Sequence, residues 1–418
     1  MLRQIEGSRG VAEAVAMCRP EIICAYPITP QTHIVEDLGA MVKGGKLENC
    51  EFINVESEFA ALSVAIGSCA AGARSYTATA SQGLLFMAEA VYNASGLGLP
   101  IVMTVGNRAI GSPINIWNDQ SDSMALRDAG WIQLYAETNQ QAADMHIQAF
   151  RIAEALSLPV MVCMDGFILT HAFERIDVPT QEQVDQFLPS FAPRQILDPA
   201  DPISLGAMVG PEAFTEVRYL AHHKQMQALD LIPRVAAEFT EIFGRASGGL
   251  VCPYRNTDAE TVVITLGSVM GTIEEVIDEM REDGHSIGAV ALRSFRPFPH
   301  SALRMELANA KRVVVLEKSL AVGMGGIVSN NVHMTLHGAH LPIYSVIAGL
   351  GGRPITRSAL HQLFLKAIAD DLDETEFLDL KCDVVKRELE REEKFTRSGS
   401  IAENILRDMG VVDAAKTA

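Results

Sequence analysis

The sequence predicts an α/β protein: a doubly wound, mostly parallel sheet with helices on both faces, followed by a second α/β unit. Residues 1–170 alternate short apolar runs with helical periodicity, as repeated βαβ units do. The same texture returns at Glu260, after a polar interval punctuated by Pro179, Pro189, Pro193, Pro199, Pro202 and Pro211. With 418 residues, 48% hydrophobic and 21% charged, the chain has material for two or more domain cores.

In chain order, the apolar runs predict strands over Glu21–Ala25, Glu51–Val55, Ser75–Ala78, Ile101–Thr104, Ile132–Tyr135 and Val160–Met164. Helical patterns lie between them at Ser8–Cys18, Thr29–Val42, Ser57–Ala71, Ser81–Ser95 and Ala142–Ala155. Residues 176–257 read as a long crossover with linker helices, including a helical pattern over Arg218–Phe243. The second unit, 258–380, opens with Thr261–Thr265, a helix from Gly267-Ser268 to about Met280, then strands Ile287–Leu292 and Lys311–Leu316. The tail, 381–418, carries the charge run Lys386–Lys394, which reads as a solvated helix or a contact with a partner subunit.

Composition excludes several classes of function. A net charge of −18 and a pI near 5.0 leave no basic stripe to offset phosphate, so nucleic acid is not an expected partner. The N-terminus lacks a signal-peptide core, and no apolar run reaches the roughly 18 residues that cross a bilayer, so a cytoplasmic protein is expected. Seven scattered cysteines form no CxxC pair and read as small core residues, giving no iron–sulfur or zinc framework. His333, His337 and His340 cluster near a helix end, but no metal site is assigned to this chain.

The chemistry concentrates at the carboxyl ends of the predicted strands, where open α/β sheets bind ligands. Ala25-Tyr26-Pro27-Ile28-Thr29-Pro30-Gln31-Thr32 joins the first strand to a helix. Two prolines fix two φ angles there, Thr29 stands where an N-cap belongs and Pro30 where a first helical residue belongs. Locally this is either a well-capped helix start or a carboxylate site at a positive helix end. Glu58, after the N-cap candidate Ser57, is either a first-turn acid or a working carboxyl, with Glu56 as the neighbouring structural acid. Arg108 either pairs with Asp119 or Asp122 or offers its guanidinium fork to a substrate carboxylate.

These segments also carry a family resemblance. Tyr26-Pro-Ile-Thr-Pro30, Val55-Glu-Ser-Glu58, Thr77-Ala-Thr-Ala-Ser-Gln-Gly83, Asn107-Arg-Ala109, Pro113-Ile-Asn-Ile-Trp-Asn-Asp119, Met164-Asp-Gly-Phe167 and Gly349-Leu-Gly-Gly-Arg353 stand in one order. Together they resemble, over nearly the whole chain, the α subunit of 2-oxoacid:acceptor oxidoreductases, the pyruvate:ferredoxin oxidoreductase family. The resemblance implies a pyrimidine-type thiamine-diphosphate domain over 1–175 and a transketolase C-terminal-like domain over 258–380. It implies that Glu58 activates thiamine diphosphate through its aminopyrimidine nitrogen. It further implies that Thr29 and Arg108 clamp the 2-oxo acid beside Tyr26, Pro27 and Ile28. Asn115, Asn118 and Asp119 are expected to orient cofactor or substrate. Ser81 and Gln82 open a helix that either binds an anion or is simply capped.

The same resemblance implies a CoA-acylating oxidative decarboxylation, with electrons leaving for ferredoxin or another acceptor through iron–sulfur clusters on other subunits. Gly-Asp-Gly, the metal and diphosphate segment of this enzyme class, occurs nowhere in the chain. A β subunit is therefore expected to supply that half-site, with γ and ferredoxin-like δ subunits completing the complex. Pyruvate is the family default. Phe59-Ala60 after Glu58 and Gly111-Ser112 before Pro113 depart from the common pyruvate pattern, leaving an aromatic acid such as phenylglyoxylate as the alternative. A non-catalytic assembly subunit is the remaining alternative. Gly323-Met-Gly-Gly326 resembles a phosphate cradle weakly, and a packing or interface role is preferred.

Overall fold

The computed structural model describes residues 2–394 and 399–411; residues 395–398 and 412–418 of the expected tail lie outside the described residues. Strand β1 (Leu2–Glu6) was not expected from its half-polar sequence. Strands β2 (Ile22–Ala25), β3 (Glu51–Asn54), β4 (Ser75–Thr79), β5 (Val102–Asn107), β6 (Ile132–Tyr135) and β7 (Val160–Asp165) follow, and β8 (Phe173–Asp177) pairs antiparallel with β1. The second unit contains β9 (Val251–Tyr254), β10 (Thr261–Thr265), β11 (Ile287–Leu292), β12 (Ser294–Arg296), β13 (Arg312–Glu317), β14 (Ile343–Ile347) and β15 (Thr375–Phe377).

The seven-stranded sheet has the order β12-β6-β7-β5-β4-β2-β3, parallel except at β12; the six-stranded sheet has the order β15-β14-β13-β10-β11-β9. β5 and β7 are buried along their whole length, as central parallel strands covered on both faces are. Three-residue β12 leaves its own unit and pairs with β6, so the two units share a sheet edge. They also share a core: Leu62, Leu84 and Trp131 of the first unit belong to one buried cluster with Val262, Phe295 and Leu303 of the second. The crossover holds helices Gln181–Phe187 and Phe214–Phe243, the latter packing Ile232, Val235 and Phe239 onto the first unit. It begins four residues before the expected Arg218.

Two helix expectations need correction. The second helix runs Thr32–Lys43 with Gln31 at its N-cap position, so Thr29 is not a cap and Pro30 not a first helical residue. Instead Gln31 N–H donates to Ile28 O at 3.0 Å, closing a separate turn with a cis Thr29–Pro30 bond, the geometry of a proline in the third turn position. The helix expected over Ser81–Ser95 is two, Ser81–Phe86 and Ala88–Gly96, divided at Met87.

Candidate active site

From β2 the chain steps to β3 on one side, then to β4 on the other. The carboxyl ends of β2 and β4 therefore flank the point where strand order reverses, the place where doubly wound sheets bind ligands. The Tyr26–Pro30 turn rises from that end of β2. Buried Gln31 ties it down, its amide donating to Tyr26 O at 3.0 Å. Pro30 packs against Gly166: a Cβ there would lie 2.6 Å from Pro30 Cγ and 2.4 Å from Asn107 O, so only glycine fits. Tyr26, Pro27 and Thr29 remain exposed, with Ile28 half-buried.

Glu58 stands at the end of β3 as the first residue of helix Glu58–Ala70, whose N-cap Ser57 accepts from Ala60 N–H. It is 8% exposed, and among the described residues nothing donates a hydrogen bond to its carboxylate. Its Oε1 would lie 2.6 Å, and Thr79 Oγ1 2.8 Å, from a Cβ placed on Gly83. Thr79 Oγ1 is itself buried without a partner. A buried acid and a buried hydroxyl thus both close on a glycine that could carry no side chain, and each needs a polar partner. Glu56 is exposed.

Arg108 leaves the end of β5 and turns toward the β2 turn. Its Nη1 donates to Thr29 O at 2.8 Å and its Nε to Asn115 O at 3.4 Å. No carboxylate pairs with the guanidinium among the described residues; Asp122 takes only the backbone N–H of Arg108, at 3.0 Å. Burial draws the guanidinium below its ordinary pKa, with Asp122 offsetting part of that. Arg108 and Thr29 are thus neighbours, and the fork retains donors for a second carboxylate.

Asp122 is the hub behind them, fully buried and accepting from Asn107 Nδ2, Ser81 N, Arg108 N and Ser123 N. Burial pushes its carboxyl up to about 7 against these four donors. Ser81 is held by that network at φ 50°, a left-handed conformation unusual for serine, and its hydroxyl donates to Ala109 O. Its N–H and O–H are therefore committed within the chain, while Gln82 accepts from Ser81 and remains half-buried.

Asn115, Asn118 and Asp119, expected beside cofactor or substrate, have their side chains turned to the second unit. Asn115 Nδ2 donates to Gly351 O at 3.1 Å, and Asp119 Oδ2 accepts from Gly351 N at 3.0 Å. A Cβ on Gly352 would lie 2.4 Å from Trp117 Cβ. Asn118 Oδ1 accepts from Lys318 Nζ at 2.9 Å, and Asn118 Nδ2 donates to Asp165 at 3.1 Å. Lys318 also forms a buried ion pair with Asp165, which accepts from Ser268 N at 2.8 Å. Burial alone would raise the Asp165 carboxyl; Lys318 and Ser268 outweigh it and hold it below the ordinary value. The Pro113–Asp119 segment is thus joined to Gly349–Arg353 across the seam.

Sequence reasoning missed Gln31, Thr79, Lys318 and the central place of Asp122. Apolar periodicity marks none of them, because each is a polar residue that only the tertiary fold buries. The Gly323–Gly326 segment is not an open cradle: Glu317 fills the N-terminus of helix Ile327–Thr335, accepting from Ile327 N at 2.7 Å and Val328 N at 2.8 Å. Gly326 is needed there, since its Cβ would lie 2.1 Å from Glu317 Oε1. The seven cysteines are free thiols, four of them buried. No helix among the described residues is long and apolar enough to cross a membrane.

Comparison with known proteins places this geometry. Residues 13–236 match the pyruvate flavodoxin/ferredoxin oxidoreductase, thiamine diphosphate-binding family, and residues 259–360 match pyruvate:ferredoxin oxidoreductase core domain II. Pyruvate synthase subunit PorA of Methanosarcina barkeri is 46% identical over 386 residues, covering 90% of this chain and 96% of the relative. The PorA subunit of Thermotoga maritima is 42% identical, covering 90% and 97%. Ketoisovalerate oxidoreductase subunit VorA of Pyrococcus abyssi is 38% identical, covering 88% and 92%. Among solved structures, a 2-oxoglutarate:ferredoxin oxidoreductase from Magnetococcus marinus shares the fold, with a TM-score of 0.68 at 19% identity over 88% of this chain. The match spans 65% of that solved chain. The chain belongs to the pyruvate flavodoxin/ferredoxin oxidoreductase family, as an oxidoreductase subunit of the α type.

Proposed function

We propose that this chain is the α subunit of a CoA-acylating 2-oxoacid:acceptor oxidoreductase with pyruvate as its substrate. The observation that carries the reading is the pair of uncompensated groups at the carboxyl ends of the strands: Glu58, buried beside Gly83 with no hydrogen bond to its carboxylate, and Arg108, which donates to Thr29 O and has no carboxylate of its own. The overall conversion is R–CO–COO⁻ + CoA–SH → R–CO–S–CoA + CO₂ + H⁺ + 2 e⁻, the two electrons passing to ferredoxin or another acceptor.

The residues present suit thiamine diphosphate on its pyrimidine side, because Glu58 is buried with no hydrogen bond to its carboxylate and Thr79 Oγ1, packed on the same glycine, is buried without a partner. When bound, the cofactor supplies a nucleophilic carbon that also stores the electron pair released with CO₂. Glu58 holds a proton against the aminopyrimidine nitrogen, favouring the reactive tautomer. Arg108 binds the substrate carboxylate with its remaining N–H donors, and the exposed Thr29 hydroxyl lies within the same turn. Tyr26, Pro27 and Ile28 form the adjoining wall. Ser81 and Gln82 position this site from behind, while Asn115, Asn118 and Asp119 fix the loop that follows Arg108 to the second unit. The diphosphate and its divalent ion fall to a β subunit, and the iron–sulfur clusters to γ and δ subunits.

Pyruvate rests on the relatives named pyruvate synthase subunits. One observation keeps a bulkier or aromatic 2-oxo acid as a second reading. Phe59, beside Glu58, is exposed against Phe86 with ring centroids 6.4 Å apart, and a Cβ at Gly111 would meet nothing within 4 Å. The test is anaerobic acceptor reduction by the native complex with coenzyme A, comparing pyruvate, 2-oxoglutarate, a branched 2-oxo acid and phenylglyoxylate. The highest kcat/KM is expected for pyruvate. Preference for phenylglyoxylate would transfer substrate choice to Phe59 and Gly111, and no turnover of any of the four would refute the catalytic reading.

A further inference from the structure

Away from Arg108 and Glu58, three potential ligands from distant parts of the sequence converge: Glu6 at the end of β1, His33 in the first turn of helix Thr32–Lys43, and His171 after β7. One donor atom from each lies within 4.8 Å of the others, and among the described residues they are the one such group of histidine, cysteine, aspartate or glutamate. We propose that Glu6, His33 and His171 bind one divalent transition-metal ion of zinc type, fastening the Tyr26–Pro30 turn to the segment after β7.

The geometry is close to what such an ion needs. Glu6 Oε1 and His33 Nδ1 are 2.7 Å apart, and the two imidazole centroids are 4.8 Å apart. Tetrahedral zinc with bonds of ~2.1 Å sets its donors ~3.4 Å apart. The first pair opens by a fraction of an ångström and the third ligand closes, movements within rotamer reach of a histidine 45% exposed. His171 is prepared as a ligand. Its Nδ1 is 2.7 Å from Thr170 Oγ1, which also accepts from Phe167 N–H at 2.8 Å, leaving Nε2 for an ion. Phe167 lies against the His171 ring at 4.9 Å and holds its plane.

The surrounding backbone fixes the Glu6 and His171 segments to each other without an ion. Ser8 Oγ donates to Thr170 O at 2.7 Å, and Gly7 N donates to Ala172 O at 3.0 Å. Two imidazoles and one carboxylate form a borderline nitrogen and oxygen set that favours zinc, iron(II) or cobalt(II) over magnesium. With three protein ligands and an exposed side, coordination positions remain for water.

The test uses the untagged full-length chain stripped with chelator, titrated with Zn²⁺ by calorimetry and with Co²⁺ by visible absorption at pH 7.5. One equivalent per chain is expected, with H33A and H171A each weakening binding about 100-fold. Far-UV circular dichroism checks that the variants fold. Absence of saturable Zn²⁺ binding, or binding unchanged in both variants, would overturn the proposal. If a variant does not fold, the wild-type cobalt spectrum decides: ligand-field bands without thiolate charge transfer support the site, and thiolate charge transfer refutes it.

Discussion

Glu58→Gln separates catalysis from structure at the proposed site. The carboxylate is 8% exposed, opens a helix, and receives no hydrogen bond from the described residues, so the amide preserves shape and breaks no internal contact. What is lost is a charge in the first helical turn, about 0.3–1 kcal/mol of stability. For a chain of this size that lowers Tm by less than about 3 °C. The catalytic cost is larger. A positioned acid–base group contributes roughly 10²–10⁴-fold, or about 3–5 kcal/mol of barrier. The assay is anaerobic acceptor reduction by the reassembled complex, with Tm measured on the same preparation. The expected result is kcat reduced about 100-fold or more at nearly constant Tm. Activity within a few-fold of wild type would refute the role assigned to Glu58, and a large fall in Tm would show that the carboxylate has a structural partner instead.

Arg108→Lys keeps the charge and loses the fork. KM for the 2-oxo acid should rise about 10- to 100-fold, the effect of removing a charge-assisted hydrogen bond, and an unchanged KM would place the substrate carboxylate elsewhere. Lys318→Met leaves Asp165 as a buried unpaired charge, since the pair is 4% and 1% exposed, and should cost about 3–5 kcal/mol in urea unfolding. Adding Asp165→Asn should recover part of that loss; full stability of the single variant would contradict the pairing. Asp122 has a folded pKa raised to about 7, so its contribution to stability is complete below pH 4 and is lost as pH rises through 7. Between pH 5 and pH 8 the loss is about 2–3 kcal/mol, and Asp122→Asn should remove that slope in paired unfolding curves. Parallel curves for variant and wild type would show that Asp122 does not titrate in this window.

The first sheet was legible because its strands are short apolar runs between helical patterns. β6, β10 and β11 have the expected limits, and the other expected strands shift by one to three residues, whereas β14, inside the second sheet, was not expected. β1 was not legible: Leu2-Arg-Gln-Ile-Glu6 lies in a two-stranded edge sheet, where little apolar surface is needed. β12 escaped because three residues carry no periodicity. Glu58, Thr29 and Arg108 of the proposed site were singled out through motifs, but no local signal joined Asn118 to Lys318, 200 residues away. The helix start failed for a physical reason. Cap rules assume that a residue before proline enters the helix directly, whereas the Ile28–Gln31 turn intervenes.

The seam explains why motifs at the two ends of the chain occur together. Arg108 and Asp119 bound one loop. At its near end Asp122 and Thr29 O fix Arg108, and at its far end Asp119 and Asn115 grip Gly351. Gly352 cannot carry a Cβ without displacing Trp117, so Gly349–Arg353 is shaped to receive that loop. The position of Arg108, the proposed substrate clamp, is therefore set partly by the second unit, through contacts that include the buried Lys318–Asp165 pair. An error of about 1 Å in a positioned group can cost on the order of 100-fold in rate. The shared core and the β12 exchange keep the two units in register, so a displacement of the second unit reaches Arg108 through this loop.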